Sequence, residues 1–404
     1  MLAEAEKSTV FRHARRHFPG VVPQVAAGFE DLPFLDRQRA LPWYGRTVEG
    51  AREFTSTGTS GRPKPVTWTP AEDRWYVAEK QAFLDAWLTG FGRAFISLGA
   101  GHNAGSASVV LGGLGLDVHD AGLSPLDQQC AAIIRSAPEV LYCSPSILAN
   151  LIMGLQRRGE RPTAVRRVIT NGEILMPSAR ARALTFFGLG PSDLMDTYGS
   201  TEVGTIAHTC PSCGVYHFLP GVYPEAAPSG TVGGHPADGD AVPLALSSVK
   251  RTSFPVIRLV TYDLVRGLRR STCTGLARFS MDGIVGRCDD VLNYGELFSP
   301  YELADLIAGL LPAARWFAFN PGNDVTIVVE GVEPPGFRDE MWRRYPLHRR
   351  MTDLGLLNPP EIRFVRDFDT FVRRSGLPRP GPGKDARRVL RVAPEDSWFD
   401  GTVR

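Results

Sequence analysis

"RRVITNGEILMPSARARALTFFG", residues 166–188, runs straight on into "LGPSDLMDTYGSTEVG", residues 189–204. Two short β-rich runs, "RRVIT" and "DLMDT", each end at a polar motif, and a helical stretch lies between them. The segments upstream repeat the form. "RAFISL" ends at "GAGHNAGSASVVLGGLG", and "EVLYC" ends at Ser144-Pro145 before the helical "SILANLIMGLQRR". Strands that alternate with helices imply parallel pairing. The expected fold is α/β: a large N-terminal domain with parallel sheets flanked by helices, over residues 1–286. In such sheets ligands collect at the carboxyl ends of the strands, which is where each polar motif falls.

Outside this rhythm the chain changes character. Residues 1 to about 50 read as short helices and loops, and after Gly204 short strands with turns take over. A second, smaller α+β unit is expected over 287–404, as a mobile lid domain. There "SPYELADLIAGLL" opens a helix with Ser299 as N-cap and Pro300 at its first position, and "RWFAFN", "DVTIVVEG" and "EIRFV" alternate like strands.

Composition narrows the function. The 404 residues are 43% hydrophobic, enough for a large core and more than one domain. With 45 basic against 43 acidic residues, no nucleic-acid or anionic-membrane partner is expected. No apolar run reaches the ~18 residues of a membrane span. The N-terminus lacks the apolar core of a secretion signal, and six cysteines in so long a chain suggest no disulfide framework. A cytoplasmic location is the simplest expectation. The excess of arginine over lysine, with abundant Ala, Gly and Pro, fits a GC-rich bacterial gene.

"FTSTGTSGRPKPVTW", residues 54–68, sets Thr and Ser hydroxyls among Gly58 and Gly61 and follows them with a basic residue. Such a loop bares backbone N–H groups and suits phosphate oxygens. It is no P-loop, which needs Gly-x4-Gly-Lys-Ser/Thr running into a helix; by itself it reads equally as a polar turn. "DTYGSTEVG" gathers a ring, a hydroxyl and a carboxylate, Tyr198, Thr201 and Glu202, able to stack a base, touch a phosphate and hold Mg²⁺. "RLVTYDLV" places Asp263 at a strand end, suited to a ribose diol or to a turn. "VGRCDD" offers Arg287, Asp289 and Asp290, and "LPRPGPGKDARRVLR" presents Lys384 on a Pro/Gly-rich loop that could equally be a solvated tail.

In order and spacing these motifs resemble the adenylate-forming acyl-CoA synthetase superfamily, closest to its phenylacetate–CoA ligase branch. The resemblance runs from "LPFLDR" at 32 to "RRVLR" at 391. It implies two half-reactions: a carboxylate attacks the α-phosphate of ATP and expels pyrophosphate, and a thiol, usually that of CoA, then takes the acyl group. Carried over by residue, Thr55, Ser56, Thr57, Gly58, Thr59, Ser60 and Gly61 would cradle the β- and γ-phosphates, with Lys64 in the same signature. Thr201 would touch the α-phosphate and Glu202 would ligate Mg²⁺. Asn171, Gly172, Glu173 and the motif Asp196, Tyr198, Gly199, Ser200 would frame the nucleotide base. Asp263 and Arg287 would hold the ribose. Lys384 would bridge carboxylate and α-phosphate, and Asp289 would be the hinge on which the C-terminal domain rotates.

"HTCPSCGVYHF" and "STCTG" supply Cys210, Cys213, His217 and Cys273, with His208 just ahead. A Cys-x2-Cys knuckle with a third Cys and a His matches structural zinc. Relatives often carry a further Cys where this chain has Gly275, which leaves the fourth ligand open between His217 and His208. Cys130 and Cys143 read as core residues, and Cys288 is given no role. The acyl pocket is expected along "SLGAGHNAGSASVVLGGLG" and Tyr142–Ser146, with His102, Gly105, Tyr142 and Ser144 as lining; small residues there leave room for a flat ring. An aryl or arylalkyl acid is expected. CoA, a carrier-protein pantetheine, an amine or another small nucleophile remain open as acceptor, and a homodimer is compatible. The stretch before the phosphate loop is short for the family, which puts a full N-terminal subdomain in doubt and hints at a role in secondary metabolism. A degenerate, zinc-stabilised nucleotide-binding protein is the reading from another class.

Overall fold

The computed structural model describes residues 1–56, 64–98, 102–122, 124–228, 240–273, 278–288, 292–294, 296–298, 300–320, 325–353, 358–377, 389–390 and 394–399; at 56, 102–104, 292–298, 347 and 389 only the backbone is described. Its centre is a nine-stranded sheet. From Leu194–Ser200 through Arg167–Asn171, Val140–Cys143 and Arg93–Ser97 to Asp117–Asp120, all neighbours are parallel. Beyond Leu194–Ser200 the sheet continues antiparallel through Gly204–Thr209, Tyr216–Phe218, Phe279–Met281 and Arg269–Arg270. The sheet is therefore mixed, with its parallel half where the strand–motif–helix rhythm lies.

Within the parallel half the chain starts at Arg93–Ser97, steps out to the edge strand Asp117–Asp120, and returns to the other side at Val140–Cys143. The strand order therefore reverses between Arg93–Ser97 and Val140–Cys143, the place where open α/β sheets receive ligands. Alternation assigns the two faces. Phe95, Leu141, Val168 and Leu194 pack against helices Leu126–Ser136, Pro145–Arg157 and Pro177–Phe187. Ile96, Val140, Tyr142, Ile169 and Met195 pack against Pro70–Leu88 and His102–Gly113.

A four-stranded antiparallel sheet (Val222–Ala226, Val242–Ser248, Leu259–Arg266, Gly283–Arg287) flanks this unit and shares a core with Trp68, Tyr76 and the N-terminal helix Glu4–His17. The C-terminal part forms another four-stranded sheet, Glu361–Val365, Thr326–Glu330, Trp316–Phe319 and Val389–Leu390, with its own cores and helices. It touches the larger unit where helix Pro300–Leu310 packs on Pro177–Phe187. Met176, the N-cap of Pro177–Phe187, has no side-chain acceptor; Asp305 Oδ1 accepts the Ser178 N–H instead, at 3.0 Å. Arg182 donates to Gly309 O at 2.9 Å. Among the described residues, no helix is long and apolar enough to cross a membrane.

Candidate active site

Strands Leu194–Ser200 and Gly204–Thr209 form a hairpin with Ser200 opposite Gly204, leaving Thr201, Glu202 and Val203 as its turn. Two glycines make the turn possible. A Cβ at Gly199 would lie 2.6 Å from Gly204 O, and Gly204 takes a φ of +89° with Trp68 and Tyr76 2.9 Å from where a Cβ would sit. The turn is then gripped by its carbonyls. Trp68 Nε1 donates to Thr201 O and Arg251 Nε to Glu202 O, both at 2.9 Å. Arg251 is itself fully buried, paired with Glu72 at 2.7 Å and stacked 3.8 Å over the Trp68 ring. The Glu202 carboxylate accepts a hydrogen bond from Tyr44 Oη at 3.0 Å, and Lys64 Nζ lies 4.8 Å over the same ring. Burial, set against the attraction of Glu202, leaves the Lys64 ammonium below its ordinary range. Burial and the Glu202 charge together push the Tyr44 phenol well up.

Asp263 and Arg287 stand directly opposite on neighbouring antiparallel strands, and Arg287 Nη1 meets Asp263 Oδ1 at 2.6 Å. Tyr198 Oη donates to the other carboxylate oxygen at 2.5 Å. Tyr262, just ahead, has a φ of +65°, an uncommon backbone for a bulky residue and one that clusters at functional sites. The sequence-predicted base and ribose groups Tyr198, Asp263 and Arg287 therefore form one cluster. Glu173 holds Ser146, accepting from its backbone N–H at 2.9 Å and its hydroxyl at 2.7 Å. Gly172 has a φ of +90° and open space around it.

Other predicted site residues are used inside the sheet. Asp196 is buried, bonded by the Thr170 hydroxyl at 2.5 Å and by the Tyr216 hydroxyl; burial raises its pKa to about 6 against the pull of those hydroxyls. Asp196 lies two residues before Tyr198 and so on the same face of the strand, but its carboxylate is taken up by the Thr170 and Tyr216 hydroxyls while Tyr198 reaches Asp263. Asn171 Nδ2 donates to Thr197, its cross-strand partner, at 2.8 Å. Ser144 caps helix Pro145–Arg157, accepting from Ile147 N at 3.4 Å, and Ser200 Oγ accepts from Val203 N at 3.3 Å. Tyr142 is buried against Lys80, while Gly105 is exposed with open space around it. Thr55 is exposed on strand Arg52–Ser56 opposite Pro65. Thr57, Gly58, Thr59, Ser60, Gly61, Ser299, Asp289 and Lys384 lie outside the described residues, and of Ser56 and His102 only the backbone is described.

Sequence reasoning missed Tyr44, Trp68, Lys80 and Arg251. The one available signal is in helix Pro70–Leu88. Its buried residues Glu72, Tyr76, Lys80, Leu84 and Leu88 recur every fourth position, and two of them are charged.

The donor atoms of Cys210, Cys213, His217 and Cys273 all lie within 4.8 Å of one another. A tetrahedral zinc with ~2.3 Å bonds to sulfur and ~2.0 Å to imidazole holds its ligand atoms roughly 3.3–3.8 Å apart. Cys210 Sγ and Cys273 Sγ are 4.0 Å apart and Cys213 Sγ and His217 Nε2 3.2 Å, either side of that range, so the four residues are of the right kind for the ion and would hold it after small side-chain shifts. Burial works against a Cys210 thiolate, but the backbone N–H groups of Cys213 and Ser212 and the neighbouring thiols outweigh it and hold its pKa down. His208 stands apart: its ring stacks on Phe83 at 4.4 Å and Nδ1 faces Thr209 O, leaving His217 as the imidazole of the cluster.

The family model described as AMP-binding enzyme matches residues 54–244, from the hydroxyl-rich loop through the Glu202 turn. A fumarate–(S)-2,3-diaminopropanoate ligase of Enterobacter agglomerans is 26% identical over 320 residues, covering 77% of this chain and 80% of that one. A phenylacetate–coenzyme A ligase of Thermus thermophilus is 27% identical, and the match covers 68% of this chain but only 64% of the relative's length. Among solved structures, 2-hydroxyisobutyryl-CoA ligase in its postadenylation state superposes with a TM-score of 0.69 at 16% identity, covering 96% of this chain and 88% of that one, a likeness of fold. The matched segment and the relatives agree: residues 54–244 are an AMP-binding enzyme domain, and the chain is similar to adenylate-forming ligases that include phenylacetate–CoA ligases.

Proposed function

We propose that this enzyme activates an aromatic carboxylic acid with ATP as its acyl-adenylate, releases pyrophosphate, and passes the acyl group to CoA. The observation that carries the reading is the joint placement of Tyr198, Asp263 and Arg287 in one hydrogen-bonded cluster, four residues along the strand from the Glu202 turn. A carboxylate-bearing turn beside a ring, an acid and an arginine is what a nucleotide with a bound Mg²⁺ needs: oxygen for the metal, hydrogen-bond acceptors for a diol, a planar face for a base. Thr201 and the 55–61 loop would hold phosphates, and Lys384 would bridge the acid and the α-phosphate. The C-terminal unit, 287–404, would rotate about Asp289 to admit the thiol. Cys210, Cys213, His217 and Cys273 would hold a zinc that ties the 210–217 knuckle to the 273 loop.

An amine acceptor is the second reading, supported by the relative named for joining fumarate to 2,3-diaminopropanoate. Pyrophosphate release across a panel of acids, with and without CoA, tests both. A thioester formed only with CoA supports the first reading, and an amide formed without CoA supports the second. No pyrophosphate release with any acid of the panel would leave the zinc-stabilised binder that does not turn over. Lys384→Ala is expected to abolish adenylation while largely sparing transfer from a supplied acyl-adenylate; equal loss of both half-reactions would sink the two-pose mechanism.

A further inference from the structure

Lys80 has no part in the reading above, and its surroundings are unusual for a lysine. It is 1% exposed on helix Pro70–Leu88. Its ammonium donates to Tyr142 Oη at 3.1 Å and lies 4.9 Å from the Tyr76 ring centre and 5.6 Å from that of Tyr142. Among the described residues no carboxylate reaches it, and the polar groups around it are phenols, with the Ser106 hydroxyl 3.5 Å from Tyr76 Oη. Burial works against the charged form, yet the two phenol oxygens outweigh it and raise the lysine's pKa, so the group is an ammonium at neutral pH. Against burial, the same ammonium draws the Tyr76 phenol's pKa down, and a buried cation held by phenols without a carboxylate is costly to keep.

The position says what the use is. Tyr142 lies next to the end of Val140–Cys143 and opposite Ile96, at the reversal of strand order. Ser106 sits on His102–Gly113, the helix leaving the strand on the other side of that reversal. Tyr76 packs on Gly204, the residue that closes the Glu202 turn. The two helices are in contact, and the Gln81 side-chain amide fills the space over Gly113, where a Cβ would lie 2.0 Å from its Nε2. One ammonium thus stands behind both walls of the crevice and next to the turn assigned to the nucleotide, with the open space at Gly105 one residue from Ser106.

We propose that Lys80 closes the far end of the acid pocket and binds a second anionic group of the substrate, so that the acid this enzyme activates is a dicarboxylic acid. One carboxylate pairs with the lysine and the phenols of Tyr142 and Tyr76; the other is presented to the nucleotide. This rests on the adenylation reading above and deepens it, and it leaves the body of the acid aromatic or aliphatic.

Matched acids decide it. Pyrophosphate release is measured with terephthalate against benzoate, fumarate against crotonate, and succinate against butyrate. A site built around a buried charge rejects the partner that lacks the matching group, so the preferred dicarboxylic acid should exceed its monoacid in kcat/KM by at least about 100-fold. In Lys80→Met that ratio should collapse by a similar factor. Wild-type enzyme that favours the monoacid in every pair, or Lys80→Met that keeps the preference, overturns the proposal. Were Lys80→Met not to fold, the wild-type ratios alone decide. If no acid releases pyrophosphate, it is the adenylation reading that falls; calorimetric binding of the dicarboxylic acids, present in wild type and absent in Lys80→Met, then judges the lysine separately.

Discussion

Replacing Arg251 by Met removes the frame under the Glu202 turn, and its cost can be worked from the contacts. The guanidinium and Glu72 are 0% and 2% exposed and 2.7 Å apart. Breaking such a buried pair from one side costs about 3–5 kcal/mol, because the charge left behind is stranded. Glu72 is partly protected, since it accepts from Thr69 N at 2.8 Å, Thr252 N at 2.5 Å, Ser253 N at 2.9 Å and Ser253 Oγ at 2.7 Å. The low end, about 3 kcal/mol, therefore applies. The Glu202 carbonyl also loses its donor, adding about 1–2 kcal/mol. Thr67 O keeps the Ser253 hydroxyl at 2.8 Å and adds little. The sum, about 4–5 kcal/mol, is a large share of the roughly 5–15 kcal/mol that holds a domain folded. Chemical denaturation of wild type, Arg251→Met, Glu72→Gln and the double variant measures it. The double variant should lose at least about 2 kcal/mol less than the two singles together, since the neutral amide of Glu72→Gln strands no charge. Acid adds a second check. Burial alone would raise the Glu72 pKa, but Arg251 and the hydrogen bonds from Thr69, Ser253 and Thr252 outweigh it and hold it low. A carboxylate depressed in the fold contributes stability above its unfolded pKa and loses it as pH falls through the folded value. Without Arg251 that depression is gone, so the gap between variant and wild type should narrow as pH falls from 7 toward 4. A loss below about 1 kcal/mol, or strictly additive singles, would refute the frame.

Three further outcomes are expected. Asp305→Ala should cost about 1–2 kcal/mol in urea, since Ser178 N loses its cap acceptor and Arg344 its partner at 2.7 Å; Asp305→Asn should lose less because it keeps an acceptor. Asp196 is raised to about 6 by burial, against the pull of the Thr170 and Tyr216 hydroxyls, so the fold prefers its protonated form and stability is lost as pH rises. Relative to Asp196→Asn, wild type should therefore lose up to about 3 kcal/mol between pH 4 and 7, and a flat difference across that range would contradict the burial argument. Purified protein should carry about one zinc by elemental analysis and melt lower after chelation, with Cys213→Ser doing the same; metal-free protein of unchanged melting temperature would end the zinc assignment.

The parallel half of the sheet was legible because apolar runs with a period of two, and helices with a period near four, leave their pattern in the sequence. The carboxyl-end rule then placed the polar motifs. Helix His102–Gly113 was not legible: its glycines and serines read as a loop, and what holds it is tertiary, Ala107, Val110 and Leu111 buried on the sheet and Gly113 closing on Gln81. Cross-strand partners escape sequence reading for a similar reason. Asp263 and Arg287 were each suspected of a ribose role, but only the strand register makes them a pair. Asp196 shows the opposite error, since a motif read as a unit assigns every member to the ligand, while the Thr170 and Tyr216 hydroxyls, on neighbouring strands or beyond, take this carboxylate into the core. Arg251, within "VKRTSFPV", reads as a surface cation; nothing local announces that Glu72 and two carbonyls enclose it.

The accounting of buried charge then separates scaffold from site. Glu72 answers Arg251, Glu225 answers Arg258 with bonds of 2.9 and 3.0 Å, and Asp263 answers Arg287. Arg251 and Arg258 stand on the segment between strands Val242–Ser248 and Leu259–Arg266 and tie it to helix Pro70–Leu88 and strand Val222–Ala226, while Asp263 and Arg287 join two strands, so these charges are neutralised within the fold and serve its geometry. Glu202 differs in degree. Among the described residues it faces a phenol rather than a cation at hydrogen-bond distance, and on the reading proposed above its negative charge would serve a metal. Lys80 is its counterpart of opposite sign, buried among phenols on the other side of Trp68 and Tyr76. Among the described residues, Glu202 and Lys80 face neutral partners at hydrogen-bond distance, as Asp196 and Glu173 also do, so what sets the two apart is their place about Trp68 and Tyr76, beside the Glu202 turn and at the reversal of strand order. On the readings proposed above, a nucleotide-bound metal would match Glu202, and Lys80 would take a ligand that is itself an anion at the end remote from the nucleotide.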